Sequence, residues 1–390
     1  MSLRFLTAGE SHGPSLSVII EGLPAGLALS IDGINRDLAR RQAGFGAGAR
    51  MKIEHDTAQI LSGLMDGQTT GSPLAVLIQN LDHSRWQNRM IDPLTKPRPG
   101  HADLTGAVKY GYNDLRPALE RASARETAAR VVVGAVSRQY LDQFGIRVGG
   151  YVCSIGDVVA PIEQMVLTER ISKALDSDVS CPDEAASENI RRAIRQIMQE
   201  RDTLGGIIEV AAINVPIGLG SYVQWDRRLD ARLAAAVLSI PAIKGVEIGP
   251  AFENTRLRGT QVQDGMRLDG RQIIRTSNRA GGLEGGVSNG QPILVRVAMK
   301  PIATTLTPQE TIDLQSGQET LSQYERSDFC PVPRAVVIVE AMVCYVLADA
   351  LLEKLGGDSL SEMKARFEGL KHASLSDLKM DGQAHEFWKD

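Results

Sequence analysis

A basic excess, paired cysteines, a dense set of aromatics and a leader peptide are all missing from this chain, and each absence narrows what it can be. Lysine and arginine total 43 against 47 acidic residues, a net charge of -4, so no nucleic-acid footprint covers the surface. Cys153, Cys181, Cys330 and Cys344 form no Cys-x-x-Cys pair and no histidine spacing that closes a zinc site. A reduced, cytoplasmic compartment is expected, and no metal. The first 13 residues lack an apolar stretch and carry Glu10, so no signal peptide is expected there. The one long apolar run, residues 335–352, contains Glu340 and Asp349 and reads as a buried helix, so no membrane partner is expected. With 390 residues the chain can close a core without disulfide or metal staples.

What is abundant is glycine and arginine. The 38 glycines exceed an average usage of roughly 7%, while aromatic residues reach only 4%, so close backbone approach matters more here than ring stacking. Arginines number 32 and lysines only 11, five of them beyond residue 352. The bias reflects either base composition or a ligand rich in phosphate or carboxylate, for which the guanidinium fork is better suited than ammonium. Position has to decide.

Short β-branched runs predict strands at 16–20, 74–78, 207–213 and 293–297. Helices are predicted at 32–42, 123–144, 226–239 and 335–352, with a fifth near 187–200 inside a charged stretch that looks like an insertion. The pieces recur in order. Leu23-Pro24-Ala25-Gly26-Leu27 resembles Val215-Pro216-Ile217-Gly218-Leu219; Gly63, Gly67, Gly71 and Pro73 match Gly282, Gly286, Gly290 and Pro292; Arg121-Ala122-Ser123 pairs with Arg326-Ser327-Asp328. An internal duplication follows, with halves at about 1–156 and 204–352, an insertion at about 157–203, and a polar, partly mobile tail at 353–390 in which 360–370 reads as a helix. A ligand site at the interface of the halves is expected.

Ser123 with Glu126 three residues on is a capping-box pattern, and Arg121 and Arg125 flank the helix start it predicts. Such an end is suited to phosphate, although a solvated helix start has the same look. Gly9-Glu10-Ser11-His12-Gly13 has the spacing of a nucleophile elbow, but Pro14 and a strand follow where a helix is needed. The alternative is a bend that exposes His12 as a general acid or base. Pro97-Arg98-Pro99-Gly100-His101-Ala102-Asp103 is a stiff turn that limits the freedom of Arg98. His55, His83, His372 and His385 default to solvated positions. The Gly-rich stretch Gly44 to Arg50 lacks the strand-loop-helix context of a dinucleotide loop and reads as a lid bearing Arg40, Arg41 and Arg50, or as a plain surface loop.

Taken together, Gly9 to Gly13 with Glu21-Gly22-Leu23-Pro24, Glu120 to Thr127, and Arg326-Ser327-Asp328 through Glu340-Ala341 resemble the three signatures of the chorismate synthase family, in order and across residues 4 to 352. The resemblance implies an α+β fold, an internally duplicated sandwich with central helices between antiparallel sheets, and a homotetramer. It implies a lyase that eliminates phosphate from 5-enolpyruvylshikimate 3-phosphate to give chorismate, the last step of the shikimate pathway. Reduced FMN is required without net redox change, supplied with NADPH as indirect reductant or through a separate flavin reductase. By the same resemblance His12, His101 and Asp328 are catalytic. Arg121, Ala122, Ser123, Pro241, Ala242, Gly285, Lys300, Pro301, Ile302, Ala303, Thr304 and Arg326 would hold FMN, and Arg41, Arg50, Arg98, Arg125 and Arg334 the substrate or NADPH. Ala47 stands where the family often has arginine, and Phe329 where proline or a small residue is usual.

Overall fold

The computed structural model describes residues 2–46, 55–324, 328–378 and 380–388. The first half opens with β1 (Arg4–Ala8) and β2 (Ser15–Glu21), followed by helix α1 (Ile31–Gln42), strand β3 (Ala58–Ser62), a two-residue hairpin of β4 (Leu64–Met65) and β5 (Gln68–Thr69), and β6 (Leu74–Gln79). The longer strands form an antiparallel sheet in the order β1-β2-β6-β3. Alternation sets its inner face: Leu16, Val18 and Ile20 are buried while Ile19 and Glu21 are exposed. Ser30 caps α1 by accepting from the Gly33 N–H at 3.1 Å, and the helix buries Ile34 and Leu38. Short helices α2 (Asp103–Tyr110) and α3 (Arg116–Ala122) lead into α4 (Thr127–Asp142).

The second half repeats that plan. After β7 (Arg147–Ile155) and β8 (Val158–Val159), the charged stretch supplies α5 (Leu167–Leu175) and α6 (Glu184–Glu200), then come β9 (Gly206–Ile213), α7 (Leu229–Leu238) and β10 (Ile243–Ile248). Short helices α8 (Ala251–Asn254) and α9 (Gly259–Val262) precede hairpins β11 (Met266–Asp269) with β12 (Gln272–Arg275) and β13 (Leu283–Glu284) with β14 (Val287–Ser288). The chain finishes with β15 (Ile293–Met299), hairpin β16 (Glu310–Asp313) with β17 (Gln318–Leu321), α10 (Val332–Leu355) and α11 (Leu360–Glu368). The second sheet runs β10-β15-β9-β7-β8.

Strands β7, β9, β15 and β10 thus reproduce the neighbour order of β1, β2, β6 and β3. The likeness extends to single bonds. Thr69 Oγ1 donates to Pro24 O and accepts from the Leu27 N–H, while Ser288 Oγ donates to Pro216 O and accepts from the Leu219 N–H. Gly63 and Gly282, with φ of +83° and +81°, face the same obstacle: a Cβ would lie 2.6 Å from Pro73 O and 2.5 Å from Pro292 O respectively. The fold is an α+β sandwich with internal duplication. Helix α4 packs on the first sheet, α10 on the second, and the two helices on each other. Their crossing is close at Gly134, where an added Cβ would meet the Ala341 Cβ at 2.2 Å.

Helix α10 has the length and composition to cross a membrane, but it is buried between α4, α7 and the second sheet. Its one acidic group near the middle, Glu340, accepts from Arg40 Nη1 and Nη2, Arg138 Nη2 and the Gly150 N–H at 2.7–2.9 Å. Four donors offset the cost of placing a carboxylate there.

Three expectations need correction. The helix predicted from Ser123 begins with a 3-10 turn at Ala124–Glu126, and the α-helix starts at Thr127. No capping box forms, because Glu126 is taken by Thr7 Oγ1 at 2.8 Å and Arg130 Nε at 2.8 Å; Ser123 caps the turn alone, through the Arg125 N–H. The helix predicted from residue 226 likewise starts later, at Leu229, behind a 3-10 turn at Trp225–Arg227. The second half begins at β7, ahead of the boundary expected at about 156, because β7 pairs with β9 in the second sheet. In the tail, the helix expected at 360–370 is α11, and the segment is docked over much of its length. Met363 of α11 is fully buried, Phe367 packs on Phe144, and the Ile273 N–H donates to Ala373 O. Apolar side chains at helical spacing in α11 supply the reason.

Candidate functional site

A cavity of about 530 Å³ opens where the N-terminal ends of α4 and α10 converge. The β1–β2 turn contributes Ser11 and His12; the end of α1 contributes Arg41; the approach to β10 contributes Pro241 and Ala242; the segment after β15 contributes Lys300, Ile302, Ala303 and Thr304. Arg98, His101, Ala122, Ser123, Arg125, Asp328 and Arg334, all residues that the sequence pointed to, line it as well. Elements from both halves therefore build one site.

Each histidine sits on a carboxylate. His12 Nδ1 lies 2.7 Å from Glu120 Oε1, and its backbone N–H donates to Glu120 Oε2 at 2.7 Å. Burial raises the Glu120 carboxyl, but the hydrogen bonds from His12 outweigh it and hold the group below the usual range. The ring packs on Trp86 at 4.4 Å, and His83 Nδ1 is 2.9 Å from His12 O. His101 Nδ1 lies 2.6 Å from Asp103 Oδ1, and Arg98 bonds the same carboxylate through Nε at 2.8 Å and Nη2 at 2.9 Å. Against the cost of burial, the bonds from Arg98 and His101 push Asp103 well below the ordinary carboxylate range. The Pro-stiffened turn therefore serves an internal clamp, with Arg98 Nη1 reaching Thr304 Oγ1 at 3.3 Å.

Deeper in, cations outnumber carboxylates. Arg125 holds Asp56 through Nη1 at 2.6 and 2.8 Å and Asn80 through Nε at 2.9 Å. Arg41 donates to Thr127 Oγ1 and Ala124 O, both at 2.9 Å, and lies 3.4 Å from the same Asp56. Arg334 is paired with Asp328 at 2.9 Å and donates to Arg41 O at 3.1 Å. Burial pushes the Arg41 guanidinium down; Asp56 opposes this, and the positive charges of Arg125 and Arg334 add to it. Among the described residues, three guanidinium groups share two carboxylates, an arrangement that favours a bound anion. Arg41 and Arg125 have much of their donor capacity spent inside the protein, so their charge rather than a free fork reaches the cavity.

Several expected residues lie elsewhere. Arg121 is not among the lining residues; its guanidinium donates to Thr7 O, Thr7 Oγ1 and Gly9 O. Gly285 sits in the β13–β14 turn, near Tyr222, and does not line this cavity. Pro301 lies within the segment after β15 but its neighbours form the wall. Arg50, Arg326 and Ala47 fall outside the described residues. At Phe329 the backbone N–H donates to Gly46 O and the O accepts from the Leu204 N–H. The elbow reading of Ser11 does not hold: it lies between two strands, and its Oγ accepts from Ser123 Oγ at 3.2 Å. His83, expected in solvent, is half-buried behind His12. Asp56, Trp86 and His83 were missed, and nothing local to their segments marks them.

The chain's residues fit a flavin nucleotide beside a second anion. The cavity volume lies in the range of roughly 300–1,000 Å³ typical of ligand sites. Pro241, Ala242, Leu119, Met299 and Ile302 give apolar wall for a flat ring, Ala242 being held at φ +68° with its O accepting from the Lys300 N–H, while Lys300 and the guanidinium groups give charge for phosphates.

A family model described as chorismate synthase matches residues 3–352. The chain is 51% identical over 384 residues to the chorismate synthase of Chlorobaculum tepidum, covering 94% of this chain and 97% of that protein. It is 50% identical over 386 residues to that of Aquifex aeolicus, covering 94% and 96%. A crystal structure of chorismate synthase matches with a TM-score of 0.78 and 45% identity, over 95% of this chain and 97% of the other.

Proposed function

This chain belongs to the chorismate synthase family, a family of carbon–oxygen lyases of the shikimate pathway, and we propose that its cavity carries out the elimination with reduced FMN bound beside 5-enolpyruvylshikimate 3-phosphate. The observation that supports this most is the placement of two carboxylate-bound histidines and an under-neutralised arginine cluster in one cavity. A 1,4-elimination with anti geometry is poorly served by one concerted step. Reduced FMN, when bound, supplies electron density as phosphate leaves and regains it, with no net redox change.

The remaining work belongs to the chain. Arg41, Arg125 and Arg334, with Arg50 and Arg98, bind and orient the substrate's phosphate and carboxylates. His12 delivers a proton from its ring to the departing phosphate. His101 holds a proton beside the cofactor, and Asp328, bound to Arg334, assists removal of the ring proton. Ala122, Ser123, Pro241, Ala242 and the Lys300 to Thr304 segment hold FMN, with Arg121, Gly285 and Arg326 as further contacts. We assign the enzyme unit to residues 1–352 as two repeats, and place it in the cytoplasm as a homotetramer. NADPH would act as an indirect reductant, either through a separate flavin reductase or through this chain's own reduction of the flavin.

Anaerobic incubation with the substrate and chemically reduced FMN should give chorismate and phosphate in equal amounts; folded protein that gives neither refutes the reading. Aerobic turnover from NADPH and FMN without added reductase would assign the reduction to this chain, and its absence would assign it to a separate reductase. A serine hydrolase reading is disfavoured by the bond between Ser11 and Ser123 and by the strand-turn-strand setting.

A further inference from the structure

We infer that Glu120 is the positioning residue of His12, keeping the resting proton of its imidazole on Nδ1, so that the second proton, taken up when the ring becomes imidazolium, sits on Nε2 and is the one passed to the ligand. The inference rests on the proposed role of His12 as acid and deepens it. Geometry carries the assignment. The two oxygens of Glu120 each take one donor from the same residue, Oε2 from the backbone N–H and Oε1 from Nδ1, both at 2.7 Å. Backbone is engaged as well, since the Ser11 N–H donates to Glu120 O at 3.3 Å. A carboxylate so placed has acceptors only, so Nδ1 must bear the hydrogen. The depressed Glu120 carboxyl is consistent with its staying ionised there. Trp86 against the ring and His83 on the His12 carbonyl fix the remaining freedom.

The cavity contains a second carboxylate–histidine contact, less isolated because Arg98 Nη2 lies 3.0 Å from the same His101 nitrogen. Asp103 meets His101 through Nδ1 at 2.6 Å, from a different element and at a different sequence spacing. Asp103 also holds Arg98, so removing it disturbs two groups, whereas Glu120 serves His12 and offers the cleaner test. A carboxylate that orients a histidine from behind acts through that histidine's tautomer and not by touching substrate.

Glu120→Gln separates this role from plain packing. The amide has one acceptor oxygen, which the His12 backbone N–H requires; its NH2 then faces Nδ1, which must accept, and the ring proton moves to Nε2. The test combines 15N-histidine spectra, with the His12 signals identified by their loss in His12→Asn, and steady-state kinetics with reduced FMN. The expected result is a proton on Nδ1 of neutral His12 in the full-length wild-type protein and on Nε2 in Glu120→Gln. In that variant kcat should fall by about 10²- to 10⁴-fold while substrate KM stays within a few-fold. Glu120→Asp should keep the wild-type tautomer and recover part of the rate. A wild-type His12 with its resting proton on Nε2 overturns the inference even if Glu120→Gln fails to fold, and so does a Glu120→Gln protein with unchanged tautomer and kcat. If wild-type protein makes no chorismate, the lyase reading fails by itself and the spectra still decide the role of Glu120.

Discussion

Asp56 shows how much a single residue outside the motifs can carry. Its carboxylate is buried against Arg125 at 2.6 Å and Arg41 at 3.4 Å, with Arg334 adding positive charge nearby. Removing the charge leaves buried guanidinium groups under-compensated, a change that costs about 3–5 kcal/mol when one partner of a buried pair is lost. Asp56→Asn should therefore lower the unfolding free energy by roughly that amount in urea titrations without ligand. Added inorganic phosphate should recover more stability in the variant than in the wild type, because an anion replaces the missing negative charge; equal gains in both would count against a net-cationic site. Residues of this kind are illegible in the sequence. His12, His101, Ser123 and the arginines stood out because Gly, Pro and a capping serine lie beside them. Asp56 and Trp86 have ordinary neighbours, and only the pairing of β2, β3 and β6 brings their segments to the site.

At the scale of elements, the α4–α10 contact is the part least tolerant of change. Gly134 lies so close to Ala341 that a methyl group cannot be added without separating the helices. Gly134→Ala, which would stabilise an isolated helix by about 1 kcal/mol, should instead destabilise the protein by about 1–3 kcal/mol in urea unfolding. The Glu340 network ties the same helices to α1 and β7. Burial raises its carboxyl, but Arg40 and Arg138 outweigh that and hold it below the ordinary 4.5. Above about pH 4.5 the group is ionised in folded and unfolded chains alike, and its contribution is fully present. As pH falls toward the folded value, the unfolded chain binds a proton that the folded one does not, and stability is lost. Glu340→Gln should be less stable by about 3–5 kcal/mol at neutral pH and show a flatter decline on acidification, read from urea midpoints across pH. The elements themselves were largely legible: β-branched runs marked β2, β6, β9 and β15, and the repeated Gly-Pro spacing marked the duplication. The entry into α4 was not, because Thr7 and Arg130 compete for the Glu126 carboxylate that the local pattern reserves for a capping box.

For the whole molecule, the chain's last segment fastens the two halves together. Residues 358–360 bond to Ala25 through the Ala25 N–H to Asp358 O and the Leu360 N–H to Ala25 O, both at 2.9 Å. Met363 packs beneath Tyr140 of α4, while Ala373 and Leu375 pair with Ile273 and Arg271 at the edge of β12 in the second half. The helix at 360–370 was legible, and its apolar side chains Leu360, Met363, Phe367 and Leu370 anchor it; the pairing of residues 373 and 375 with β12 was not, because polar residues surround them. Two nearly inaccessible side chains, Leu360 and Met363, are worth about 1.5–3 kcal/mol each when removed from water. A chain ending at residue 356 should therefore unfold with a free energy lower by about 3–6 kcal/mol, whereas one ending at 378, which keeps both the helix and the contact with β12, should match the full-length protein within about 0.5 kcal/mol. Because the two anchoring contacts fall on different halves, a chain ending at 370 tests the fastening itself: it retains the α4 contact and loses the β12 contact. Its urea transition should stay near that of the full-length chain while hydrogen exchange at 266–275 rises selectively; exchange that is unchanged there would show that the hairpin is held without the tail.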